Sequence, residues 1–145
     1  MTEPEAMPAY DEADGQLDGP RAWCHVMYGL HALSAVSGIL SSATVVGAFV
    51  FGWPSIIAVI INYVTRDKVR GTWLATHWTW QLRSFWFAAL WLVVAGLLMI
   101  TLIGIPPAIL VIVGTGLWVL YRVIRGWLAL LDRSAMPVPP SSAAV

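Results

Sequence analysis

The sequence predicts an all-α membrane protein of four spans, folded as two helical hairpins and joined by an amphipathic helix on the cytosolic side. Three observations carry this. The chain has 145 residues, of which 59% are apolar and only 11% charged, with a mean hydropathy of +0.75; soluble domains run nearer half apolar and a quarter charged. No Asp, Glu, Lys or Arg occurs in residues 22–65 or in residues 84–121. The basic residues fall at Arg21, Arg66, Lys68, Arg70, Arg83, Arg122, Arg125 and Arg133, outside those two intervals, as expected where chain ends and linkers share one side of a bilayer.

The N-terminal segment comes first. Glu3, Glu5, Asp11, Glu12, Asp14 and Asp18 crowd into it with Pro and Gly, so residues 1–21 read as an acidic, disordered cytoplasmic tail too poor in apolar side chains to form a core. An early basic region before an apolar run would mark a secretory signal; the opening Met-Thr-Glu-Pro-Glu has the opposite character, and no cleaved signal is expected. Cys24 is the single cysteine, so no intrachain disulfide is available to report a redox compartment.

A membrane domain then fills residues 22–133. As one helix, residues 22–65 would be about 66 Å long, twice the roughly 30 Å of a bilayer's hydrocarbon core. The interval must double back, with spans at about 24–44 and 46–65. Ser41-Ser42 offers one turn and Gly52-Trp53-Pro54 another. The later break would leave a short second limb, which favours the earlier turn and makes Pro54 a bend inside helix two. The second interval breaks at Gly104-Ile105-Pro106-Pro107, where consecutive prolines oppose a continuous helix, giving spans at about 84–103 and 107–127. Arg122 and Arg125 end the last span within reach of lipid headgroups. Residues 134–145, rich in Pro, Ser and Ala, read as a flexible cytoplasmic tail.

Between the hairpins lies RDKVRGTWLATHWTWQLR. Trp73, His77, Trp80, Gln81 and Ser84 recur at three- and four-residue spacing, so a helix from Thr72 aligns them on one face. That helix is either interfacial or an extension of helix three. Trp73, His77, Trp80, Gln81 and Arg83, with Arg122 and Arg125, are the candidate interface residues. Asn62 is the clearest amide within a span and the candidate interhelical polar contact. Small residues at Gly38 and Ser42, at Ala43 and Gly47, and at Gly114 and Gly116 suit close helix packing.

Chemistry is sparse. His25, His31 and His77 lack metal-ligand spacing, Asp67 sits between Arg66 and Lys68 with nothing to single it out as an acid, and there is no nucleophile–base pair, embedded carboxylate pair or phosphate cradle. No catalytic, cofactor or metal residues are assigned and no cofactor is expected. Dispersed basic groups without a recognition fold argue against nucleic acid. The expected partners are the lipid bilayer and either a second copy or another membrane protein.

The motifs Arg66-Asp67, Thr72-Trp73, His77-Trp78, Trp80-Gln81 and Arg83-Ser84-Phe85-Trp86, with Tyr121-Arg122, Ile124, Arg125 and Gly126 further on, resemble a family of small bacterial integral membrane proteins of unassigned activity. That family is distantly similar to the multispanning translocon-like protein of the chloroplast inner envelope. The resemblance covers about residues 25–136 and implies a four-helix membrane architecture. The resemblance supplies no activity; the charge layout leads to the expectation of a multi-pass protein of the bacterial inner membrane with both termini cytoplasmic, and the small helix faces, Asn62 and the aromatic-polar linker to that of a non-enzymatic interaction or assembly module. The alternative is an oligomeric transporter or translocation component.

Overall fold

The computed structural model describes residues 8–40 and 45–137, with side chains described over 15–40 and 52–137. It is an all-α bundle of four helices, α1 (Pro8–Leu40), α2 (Val45–Thr65), α3 (Leu74–Met99) and α4 (Ile105–Leu131), with no strand among the described residues. Short 3₁₀ turns, Arg66–Val69 and Leu102–Gly104, lie in the connections after α2 and α3.

Helix α1 starts at Pro8, so residues 8–21 of the acidic segment are helical where composition predicts a tail. Extending an existing helix avoids the cost of nucleation. Residues 1–7 lie outside the described residues. Further along, Cys24, Met27, Tyr28, His31 and Ala35 are buried; their three- and four-residue steps make one inward stripe.

The first hairpin turn, expected at Ser41-Ser42, also lies outside the described residues, but α2 runs unbroken through Pro54, which rules out a turn there. Ala58, Asn62 and Thr65 form its buried stripe. Gly71, at φ +77°, reverses the chain before α3, a backbone state that costs glycine little.

Helix α3 begins ten residues ahead of the expected span, because the linker helix is its N-terminal extension and not a separate element. After Met99, Thr101 accepts a hydrogen bond from the Gly104 amide at 3.1 Å and closes the turn. A Cβ at Gly104 would overlap the Leu98 carbonyl oxygen, so glycine is needed there for close approach. The two prolines, expected to break the helix, sit in the first turn of α4, where a missing N–H costs no internal hydrogen bond.

Helix α1 packs against α2 on one side and α4 on the other, and α4 packs against α3. Helix α1 meets α2 at His31 and Ser55. The other two pairs are antiparallel: Tyr28 meets Gly126 while Ile39 meets Gly116, and Trp80 meets Arg122 while Phe87 meets Trp118. Helices α2 and α3 touch much less, chiefly through Asn62 and Thr65 against Trp78.

Burial changes along α3. The first three turns of α3 are buried and carry His77, Gln81 and Ser84, whereas Trp86, Leu90, Val93 and Leu97 beyond them are exposed. Two helices, Leu74–Met99 and Leu102–Leu131, are long and apolar enough to cross a membrane, and only 11% of the most apolar stretch of each is buried. An apolar surface of that extent has no favourable exposure to water.

Candidate functional site

The buried polar groups gather at the end of the bundle where α3 begins and α4 ends. Three linked arrangements build this region.

The first centres on His77, which has no exposed surface. Its Nε2 lies 2.8 Å from the Ser134 carbonyl oxygen. A carbonyl only accepts, so the proton is on Nε2. In the neutral ring Nδ1 then accepts from the Tyr28 hydroxyl at 2.9 Å. The Tyr28 ring is held edge-on to His77 and stacked on Trp127, whose Nε1 donates to His25 Nδ1 at 3.0 Å. The Tyr28 ring also fills the space a side chain at residue 126 would take, so α1 approaches α4 at a glycine.

The second centres on Arg122. Its Nε donates to Ser84 Oγ at 2.6 Å and its Nη2 to the Trp80 carbonyl at 3.3 Å. The Trp80 indole donates back to the Arg122 carbonyl at 3.2 Å. The guanidinium lies 3.5 Å from the centroid of the Trp80 ring and 5.1 Å from that of Trp118. Stacking and hydrogen bonding thus hold a partly buried cation where no carboxylate reaches it among the described residues.

The third joins α2 to α3. Asn62 Nδ2 donates to the Trp78 carbonyl at 3.0 Å, and Trp78 Nε1 donates to Thr65 Oγ1 at 3.1 Å. Asn62 thus makes a polar contact between α2 and α3.

The candidate interface residues separate into two groups. Trp80, His77 and Gln81 are buried against the chain's own helices. The linker forms the start of α3, and its three- and four-residue stripe faces the core. Arg83 and Arg125 are exposed, Trp73 and Arg122 half-buried. Arg125 donates to Tyr121 Oη at 3.3 Å, and Trp73 packs edge-on to His77. Gln81 donates to Cys24 Sγ at 3.5 Å, while its Oε1 is buried without a partner.

Several participants are absent from the sequence-based set. Tyr28 and Ser134 hold His77, and Ser84 holds Arg122. The Met136 amide donates to Thr76 Oγ1 at 2.8 Å, and Met136 is buried. Residues 134–137 are thus docked on α3 instead of belonging to a flexible tail; residues 138–145 lie outside the described residues. The reversal follows Arg133, at φ 51°, and the Ser134 amide satisfies the Ala129 carbonyl. Tyr28 is detectable in principle as a member of the 24-27-28-31-35 stripe. The docking of Ser134 and Met136 leaves no local pattern.

His25, His31 and His77 turn to separate partners, Trp127, Ser55 and the Tyr28–Ser134 pair. A chamber of about 40 Å³ lies among His31, Ser55, Gln81, Ser84 and Arg122. Through Ser55, Phe85, Ala88 and Val119 it adjoins an apolar cavity of about 270 Å³ between the helices. A cleft of about 340 Å³ separates α2 from α3 on the outside of the bundle.

No protein-family model matches the chain. Neither does any curated protein or solved structure.

Proposed function

We propose that this chain is a four-span protein of the bacterial inner membrane, with both termini cytoplasmic, and that it acts as a non-enzymatic module for self-association or for assembly with another membrane protein. The observation that carries the membrane reading is the outward apolar surface of α3 and α4, of whose most apolar stretches only 11% is buried, while His77, Gln81 and Ser84 of α3 are enclosed. In lipid that surface is solvated and the enclosed polar groups are the ones that need partners. The basic residues in the segments before α1, between α2 and α3 and at the end of α4, with nearly uncharged segments at the two hairpin turns, support this orientation.

The interaction reading rests on the division of labour among the site residues. His77, Gln81, Trp80 and Asn62 are committed to internal contacts. Arg83 and Arg125 are exposed beside them, and a surface already organised by internal contacts presents such groups at low ordering cost. A photo-crosslinking residue placed at 83 or 125, activated in native membranes and followed by mass analysis, should yield a discrete adduct with a second copy or with one recurrent membrane protein. A chain that stays monomeric, with no adduct at either position, overturns this reading.

The transport reading is favoured by one observation, the chamber edged by His31, Gln81 and Arg122 that adjoins the apolar cavity. The small size of that chamber, about 40 Å³, weighs against transport by a single copy.

A further inference from the structure

We infer that the cleft between α2 and α3 is a binding site for one anionic phospholipid, whose phosphate lies between Arg66 and Arg83 and whose acyl chain descends over Leu82, Trp86 and Phe87. This rests on the membrane reading and adds to it a specific ligand at a specific place.

The cleft encloses about 340 Å³, within the size range of small-molecule sites. It exists because α2 and α3 meet through Asn62, Thr65 and Trp78 and otherwise pack little against each other. Asn62 Nδ2 and the Trp78 indole are spent on that junction, so the inner wall keeps its shape without a ligand. Arg66 and Arg83 flank the opening, and no carboxylate pairs with either among the described residues. The one nearby acid, Asp67, pairs with Arg70 at 3.4 Å.

The cleft changes character along α3. From Arg83 it passes in one turn to Trp86 and Phe87, which are 57% and 49% exposed. Phosphates sit at the depth of the arginines and acyl chains at the depth of the aromatic rings. Two guanidiniums present a fork of donors suited to phosphate oxygens. Lys68 and Arg70 lie outside the cleft's lining, and Arg70 is paired with Asp67, so the charge that selects an anionic lipid over a zwitterionic one is that of Arg66 and Arg83.

The test uses the full chain in detergent with equal amounts of phosphatidylglycerol and phosphatidylethanolamine, read by native mass spectrometry. One phosphatidylglycerol per chain should be retained in preference to phosphatidylethanolamine. The double variant R66Q/R83Q should lower that retention on the order of tenfold, R66K/R83K should restore part of it, and K68Q/R70Q should retain the preference. Cys24, fully buried, reports folding: it should stay unreactive toward a maleimide in every variant used. Equal retention of the two lipids, or an equal loss in K68Q/R70Q, overturns the site. Extraction of the chain from native membranes by alkaline carbonate overturns the membrane reading itself; a chain that resists extraction but shows no lipid preference defeats the site alone.

Discussion

Replacing Gly126 with Ala tests the packing of the polar pole through one methyl group. The added Cβ would overlap Oη, Cε1 and Cζ of Tyr28. These atoms cannot swing aside freely, because the ring is stacked on Trp127 and its hydroxyl is bonded to His77 at 2.9 Å. Overpacking of this kind costs about 1–3 kcal/mol, and displacing the hydroxyl forfeits a buried hydrogen bond worth about 1 kcal/mol. Alanine's better helix propensity returns about 0.5–1 kcal/mol. The net expectation is a destabilisation of about 1–3 kcal/mol. Gly114, in the same helix, has nothing within 4 Å of a Cβ, so Gly114→Ala should be neutral or stabilising by up to about 1 kcal/mol. The chain's single cysteine supplies the assay: Cys24 has no exposed surface, and where reclosure outpaces modification its labelling rate follows the population of opened chains. Gly126→Ala should label about 10- to 100-fold faster than the parent, each factor of ten corresponding to about 1.4 kcal/mol; Gly114→Ala should label no faster. Equal rates for the two variants would refute the close approach of α1 and α4 at Tyr28.

Three further outcomes follow from the same contacts. Asn62→Leu removes the donor to the Trp78 carbonyl and should destabilise the bundle by about 0.5–2 kcal/mol, read by the same labelling; no change would show that α2 and α3 do not depend on that bond. His77→Ala frees the Ser134 carbonyl and the Tyr28 hydroxyl, so cleavage near residues 133–137 by a protease should speed up several-fold, and an unchanged rate would show that the segment is held otherwise. Arg122→Lys keeps the charge but loses the donor to Ser84 and the planar stack on Trp80; it should cost about 1–2 kcal/mol and alter tryptophan emission, and a variant indistinguishable from the parent in both would contradict the arrangement.

The helices were largely legible because their signals are local. Charge-free intervals, the Gly-Ile-Pro-Pro break and the tolerance of Pro54 inside α2 each follow from a few neighbouring residues. Residues 8–21 misled because composition counts apolar content and does not register that this segment continues an adjoining helix. The linker shows the same limit in another form. The spacing of Trp73, His77, Trp80, Gln81 and Ser84 correctly predicts a shared helical face, but spacing does not say whether that face turns outward or inward. What turns it inward lies far along the chain: Tyr28 is 49 residues from His77, Arg122 is 38 from Ser84, and Ser134 is 57 from His77. The glycines make the point most sharply. Gly114 and Gly116 look alike in sequence, yet only Gly116 meets a neighbour, Ile39, and Gly126 meets Tyr28. Periodicity marks a surface available for close approach, and the partner that uses it is a property of the whole fold.

Cysteine reporters placed singly at Ser41, Lys68, Ile105 and Ser142, in a chain with Cys24 replaced by Ala, test the four-span arrangement directly. Intact cells are treated with a membrane-impermeant maleimide and compared with permeabilised ones. The reporters at 41 and 105 should label in intact cells, and those at 68 and 142 only after permeabilisation. Labelling of 68 or 142 in intact cells, or protection of both 41 and 105 there, would contradict a four-span bundle with its polar pole in the cytoplasm.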